Sequence, residues 1–297
     1  MNAPEERPAA HPRRALRPRK GHVEISASER LACFDSQSPR AGNRPGPPIL
    51  LLHGFTADKG SWLRMVRQLG KNHRVIALDF AGHGASSNAA DDDYGRVRQA
   101  ERAHLLAAQL HLGTYHVVGH SMGGAVAATL AIAHPEEVLS LGLISPAGLP
   151  DPHTAEFNAL LAKGVNPLVV SGNWSGGERI RFVTNGPWWL HLFARCFSGV
   201  LSRRARERAP LYLRMFEQLG QEAPLAATDL QGIRQPTFLL WGTGDRVLDP
   251  ARAEEFESNI PDIHVERREG IGHTPGVEEP RRTAKAYLAF LQSLQAS

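Results

Sequence analysis

Three residues set far apart in a chain of 297 have the side chains that nucleophilic hydrolysis requires: Ser121, Asp245 and His273. A serine hydroxyl is a poor nucleophile at neutral pH. It needs a base to take its proton, and the base needs a carboxylate to hold its tautomer and stabilise the imidazolium. Ser121 stands in Tyr115-His116-Val117-Val118-Gly119-His120-Ser121-Met122-Gly123-Gly124, where a short apolar run meets Gly-x-Ser-x-Gly and an alanine-rich helical pattern follows. This predicts a nucleophile elbow, a strand-to-helix turn sharp enough to strain the serine backbone and expose its hydroxyl. Gly119 and Gly123 are required because a Cβ at either would collide across the turn. The helix behind Ser121 aims free N–H groups and its positive dipole end at the reacting centre.

Asp245 lies in Gly242-Thr243-Gly244-Asp245 and His273 in Gly270-Ile271-Gly272-His273. Each is expected just past the end of a strand, where open α/β sheets place their sites. The rival carboxylate, Asp249, precedes Pro250 and reads as a helix N-cap with proline in the first turn. Attack on a carbonyl builds a negative oxygen that preorganised donors must meet. By position these donors are the backbone N–H groups of Met122, after the nucleophile, and Phe55, after His53-Gly54. His53 and His120, inside glycine-containing turns, are read as structural or site-lining, and with Gly54, Trp188 and Trp189 they form the candidate substrate-binding set. His83, in Gly-His-Gly, reads as a turn residue. No His-Glu-x-x-His or clustered His/Cys ligand set suggests a metal, and no glycine stretch has dinucleotide-binding spacing. No cofactor is therefore expected.

The elements that must position these residues follow from apolar patterning. Ile49–Leu52, Arg74–Leu78, Tyr115–His120, Val138–Ile144 and Pro236–Trp241 read as strands buried on both faces, with a further strand at Ile263–Arg267. Helical patterns separate them at Ser61–Leu69, Tyr94–Leu112, Ser121–Ala133, Pro250–Asn259 and Pro280–Leu294. Such alternation predicts an α/β fold with a parallel sheet covered on both sides. His22–Ser26 and Leu31–Phe34 read as an edge hairpin, and the Pro-, Gly- and Ser-rich stretch Ser36–Pro48 as a loop. The alternation breaks from Ser145 to Ile233, where prolines punctuate short helical stretches rich in aromatics. This region reads as an inserted helical cap over an apolar substrate site. The expected division is a tail over 1–21, a core over 22–144 and 234–297, and the cap over 145–233.

Composition sets the class. A hydrophobic share of 42% and a charged share of 22% are those of a soluble globular protein. The net charge of +4 is concentrated in the first twenty residues, so it does not describe a nucleic-acid surface. Arg13, Arg14, Arg17, Arg19 and Lys20 stand there among prolines and alanines, a composition that predicts a disordered tail, with weak attraction to anionic lipid as the alternative. The tail has no apolar core of a secretory signal, and no run is long enough to span a bilayer. With two distant cysteines, Cys33 and Cys196, and no disulfide framework, the expected location is the cytoplasm.

The combination of His53-Gly54-Phe55, Gly119-His-Ser121-Met-Gly123-Gly, Gly244-Asp245 and Gly272-His273 resembles the α/β-hydrolase superfamily from about residue 22 onward, including its Ser, Asp, His chain order. Phe55-Thr-Ala-Asp-Lys-Gly-Ser61-Trp62, Ser145-Pro-Ala-Gly148 and Asp245-Arg-Val-Leu-Asp249-Pro are similar to the monoacylglycerol-lipase and bacterial lipase/esterase group. The resemblance implies a mostly parallel, doubly wound sheet with a helical cap. It also implies hydrolysis of carboxylic esters of acylglycerol type, with a small apolar ester as the partner. The sequence departs from membrane-anchored relatives, which carry an N-terminal apolar segment. Hydrolases of C–C bonds in ring-cleavage products, thioesterases and perhydrolases use the same triad and remain alternatives. A non-catalytic binding protein on this fold is a further one. Dehalogenases and epoxide hydrolases carry a carboxylate where this chain has Ser121.

Overall fold

Short, unbroken apolar runs build the sheet on which everything else is hung. The computed structural model describes residues 19–37, 46–172, 174–186, 192, 196 and 198–296. Its strands are β1 (Arg19–Glu24), β2 (Arg30–Asp35), β3 (Gly46–Leu52), β4 (His73–Leu78), β5 (Tyr115–His120), β6 (Val138–Ile144), β7 (Thr237–Gly242) and β8 (Ile263–Arg268). They form one eight-stranded sheet in the order β1-β2-β4-β3-β5-β6-β7-β8. The strands from β3 to β8 are mutually parallel, and β2 is antiparallel to both β1 and β4. Sequence alternation and observed layering therefore agree.

The pleat sends successive side chains to opposite faces, and the core divides accordingly. Leu50, Leu52, Val117, Leu141 and Leu239 pack on one face against α2 (Arg96–Gln109) and α3 (Met122–Ala133). Ile49, Leu51, Val75, Val118 and Leu240 pack on the other, against α1 (Leu63–Leu69) and the C-terminal helix Pro280–Ala296. Because both faces are covered, the central strands read as unbroken apolar runs.

Two strands start earlier than composition suggests. Arg19, Lys20 and Gly21, assigned above to the tail, pair with Asp35, Phe34 and Cys33 as the first half of β1. The Lys20 ammonium lies 5.9 Å from the centre of the Phe34 ring, a cation–π contact that composition cannot reveal. Gly46-Pro47-Pro48, read as loop, opens β3, and its register against β4 slips between Gly46 and Ile49. Prolines cannot donate to a ladder, which explains the irregular entry.

After Ile144 the chain leaves the sheet and returns at Thr237. Between them lie α4 (Ala155–Ala162), α5 (Gly176–Val183), α6 (Ser198–Glu207), α7 (Ala209–Gln221) and α8 (Ala227–Gln231). Phe157, Phe182, Tyr212 and Met215 are buried among these helices. Beyond β7 come α9 (Ala253–Asn259), a short α10 (Pro275–Glu278) and α11 (Pro280–Ala296). No described helix is long and apolar enough to cross a membrane.

Candidate active site

The elbow is built by close approach. Ser121 has φ 54° and ψ −120°, a region that costs a non-glycine residue on the order of 1–3 kcal/mol and persists only where its surroundings enforce it. Enforcement comes from backbone on all sides. A Cβ on Gly119 would lie 2.0 Å from the Gly123 carbonyl oxygen, and one on Gly123 would lie 2.3 Å from that of Leu52. Only bare backbone lets α3 start so near the ends of β5 and β3. Met122 is the first residue of α3, so its N–H has no partner within the helix.

Opposite the elbow, the loop after β3 carries Phe55. A Cβ on Gly54 would lie 3.2 Å from that of Ser121 and 2.8 Å from the His120 ring, so glycine brings this loop against the serine. Thr56, with φ 58°, is held by the insertion. Its Oγ1 donates to the Leu168 carbonyl at 3.1 Å, and the Arg179 guanidinium donates to the same Oγ1 at 2.8 Å.

The acid and base meet through their strand ends. The Nδ1 of His273 lies 2.7 Å from Oδ2 of Asp245. The carboxylate accepts, so Nδ1 carries the proton and Nε2 is left as the ring's basic atom. Asp245 is itself fixed on both oxygens. Oδ1 accepts the N–H groups of Val247 and Leu248 at 2.8 and 3.0 Å, and Oδ2 accepts Trp241 Nε1 at 3.1 Å. Asp249 is used elsewhere: its Oδ1 accepts the Ala251 N–H at 3.0 Å, capping the turn Pro250–Arg252.

The loop carrying His273 is joined to the elbow by His120. The His120 Nε2 donates to the His273 carbonyl at 2.7 Å, and the two rings lie 4.9 Å apart. Burial pushes the His120 imidazole down to about 3, the neighbouring His273 working in the same direction. A neutral strut, not a titrating group, links the serine strand to the base.

Ser121, Met122 and Phe55 border a cavity of about 450 Å³. Leu149, Leu168 and Phe216 from the insertion line it with Val247 and Leu248. Of the candidate substrate-binding residues, His53 does not reach this space. It is wholly buried, its Nε2 accepts the Phe80 N–H at 3.1 Å, and its Nδ1 donates to the Gly54 carbonyl at 2.8 Å. Both ring nitrogens are consumed in shaping the Phe55 loop. Gly54 and His120 act through position, as described, and do not line the cavity among the described residues. Trp188 and Trp189 lie outside the described residues.

Two residues at the site escaped the sequence reading. His153 lines the cavity, its ring stacked 4.1 Å from that of Phe157. Burial, followed by the nearby His273, lowers its imidazole to about 4. Glu278 grips both sides of His273. It accepts the N–H groups of Gly272 at 3.1 Å and Thr274 at 3.2 Å, together with that of Asn185 from the insertion at 3.0 Å. Its burial raises the carboxyl above the usual range against the pull of those hydrogen bonds. Neither residue sits in a motif, and only the folded chain brings it to the site.

Comparison with known proteins agrees with this architecture. The profile of the alpha/beta hydrolase family matches residues 49–286. Monoacylglycerol lipase abhd6-B of Xenopus laevis is 34% identical over 280 residues, covering 89% of this chain and 80% of the relative. Lipase 1 of Psychrobacter immobilis is 32% identical over 264 residues, covering 86% and 80% respectively. Among solved structures, a membrane phospholipase A described as a bacterial virulence factor shares 36% identity and a TM-score of 0.82, covering 94% of this chain and 87% of that one.

Proposed function

The chain belongs to the alpha/beta hydrolase family and is a carboxylester hydrolase, and from that premise we propose that it cleaves apolar acyl esters through an acyl-enzyme on Ser121. Ser121 Oγ attacks the ester carbonyl while His273 Nε2 takes its proton. Asp245 holds the ring and stabilises the imidazolium. The developing oxyanion is met by the N–H groups of Phe55 and Met122, where one donor is worth on the order of 10²–10³ in rate. Collapse expels the alcohol with the proton from His273. Water, activated by the same imidazole, then releases the acid.

One observation carries this reading. A histidine whose imidazole is bound to a carboxylate has its backbone tied by His120 to the strand end carrying a strained serine, and that serine lies on the wall of a cavity lined by Leu149, Leu168 and Phe216. The apolar lining, and the lipase and phospholipase names of the relatives, support an acyl chain as the occupant.

The test is hydrolysis of p-nitrophenyl esters of increasing acyl length, with Ser121→Ala as control. Turnover that rises from acetate toward medium or long chains and falls at least about 10³-fold in the variant is the expected result. Turnover retained by a folded Ser121→Ala protein overturns the assignment of the nucleophile.

A further inference from the structure

Away from the active site, two helices bring together side chains that the hydrolytic machinery does not use. His104 projects from α2, His134 caps the C-terminus of α3, and Glu137 lies in the turn leading into β6. One ligand-type atom from each lies within 4.8 Å of the others. α3 begins at the elbow and is 12 residues long, which puts His134, just past its end, about 20 Å from Ser121 at the helical rise per residue.

The three are fixed by backbone rather than by one another. His134 N–H donates to the Leu130 carbonyl at 2.9 Å and Glu137 N–H to the His134 carbonyl at 3.1 Å. The Glu137 carbonyl accepts the Tyr115 N–H at 2.9 Å, locking the turn to β5. The two imidazoles stack 3.7 Å apart and nearly parallel, at 7°. The His104 Nδ1 is buried and makes no hydrogen bond, although Oε2 of Glu137 is 3.4 Å away. A buried polar atom without a partner calls for an explanation.

We propose that His104, His134 and Glu137 bind a late first-row divalent cation of the Zn²⁺ type, pinning the end of α3 to α2. Two imidazoles and one carboxylate are the donor set that suits Zn²⁺ and its neighbours rather than Mg²⁺ or Ca²⁺. Donors around tetrahedral zinc lie about 3.3 Å apart, from metal–ligand distances of about 2.0–2.1 Å. The donor atoms now lie within 4.8 Å of one another, and closing to that distance requires the two stacked imidazoles to turn as well as the Glu137 side chain, which is 40% exposed. Water completes the fourth position.

An ordinary ion pair is the competing account. It leaves the second imidazole unused, and it requires a protonated His104 stacked against His134. The sequence shows no ligand cluster because His104 comes from a separate helix. Only His134-Pro-Glu-Glu137 is local.

Calorimetric titration of ZnCl₂ into the full chain, freed of metal by EDTA and then of EDTA, tests the proposal. One equivalent should bind, MgCl₂ should give no saturable signal, and the melting temperature should rise by about 5 °C at hundredfold excess over Kd. His104→Gln and His134→Gln should each weaken binding at least about tenfold, since even outer partners of metal ligands cost that much. Glu137→Gln serves as a third arm should either histidine variant fold poorly. Ester hydrolysis by these variants should match the parent chain. Zinc binding of unchanged affinity in the histidine variants, or no saturable binding up to millimolar metal, overturns it.

Discussion

Ser121 is constrained by bare backbone at close range, Gly119 against Gly123 and Gly123 against the end of β3 at Leu52 and His53, whereas His273 is constrained by tethers gathered from several separate elements. Asp245 holds its ring, His120 its carbonyl, the Val183 carbonyl its N–H, and Glu278 the amides on either side. Strain at the serine is thus produced once β5 and the start of α3 are packed against the neighbouring ends of β3 and β6. Alignment of the base is a global property, produced only when β5, β7, the insertion and α10 are all in place. The difference teaches which errors each half tolerates. The elbow resists any added atom, and the histidine loop resists the loss of any one tether.

The largest effect separates the two carboxylates near the loop. Asp245→Asn keeps the geometry but takes away the charge and allows the wrong His273 tautomer, so kcat should fall on the order of 10⁴-fold, as in other triads. Asp249→Asn should stay within about threefold, because its oxygen only caps a turn. Steady-state kinetics on one p-nitrophenyl ester decides it, and the reverse ranking would transfer the acid role to Asp249.

Stability should show the opposite asymmetry. Gly123→Ala puts a Cβ 2.3 and 2.5 Å from the Leu52 and His53 carbonyl oxygens, with backbone on both sides and no room to give. Overpacking of this kind costs about 3 kcal/mol or more, and Tm should fall by on the order of 5–10 °C. Gly272→Ala meets the Asn185 backbone nitrogen at 2.7 Å and the Glu278 carboxylate at 3.1 Å, a less severe approach and in part to a side chain. Its Tm should fall by less than half as much. Equal losses in thermal melts would mean that the histidine loop is as rigid as the elbow.

What could be read from the sequence follows the same division. The elbow is legible because its glycines, serine and apolar strand are neighbours, and the central strands because burial on both faces leaves uninterrupted apolar runs. The residue types at Asp245 and His273 and their place past strand ends can also be read. Their tethers cannot. Glu278 looks like any acidic residue near a helix start, and His153 follows an unremarkable Pro-Asp-Pro. His53 could be read only as structural or site-lining, for the same reason. A histidine beside a glycine turn does not reveal that Phe80 and Gly54 occupy both ring nitrogens. The early starts of β1 and β3 depend on pairing partners, Asp35 and His73, that composition does not weigh.

Glu278→Gln tests whether a tether matters apart from stability. The glutamine amide offers one accepting oxygen where the carboxylate offers two, so at least one N–H among Gly272, Thr274 and Asn185 loses its partner. The expected result is a fall in kcat of about tenfold with KM nearly unchanged, the pattern of a displaced base rather than of lost substrate binding. A matched rise in KM instead would place the role of Glu278 in the cavity wall through Asn185.

The smallest effect concerns the strut. Burial depresses His53, His83, His116, His120 and His153 below the ordinary histidine value of 6.5, His83 and His120 to about 3 and His116 and His153 to about 4. The unfolded chain takes up these protons near pH 6.5, while the folded chain refuses them until far lower. Stability is therefore fully present above pH 6.5 and drains as pH falls toward 3–4. Glu222 and Glu278, whose carboxyls burial raises, oppose the trend but are fewer. Urea unfolding between pH 6.5 and 5, above the range of ordinary carboxylates, should show stability falling with pH. One buried neutral histidine contributes a slope approaching about 1.4 kcal/mol per pH unit, so His120→Gln should flatten the dependence by up to that amount. An unchanged slope would mean that His120 titrates freely, and the link between elbow and loop would then rest on a group that charges within the working pH range.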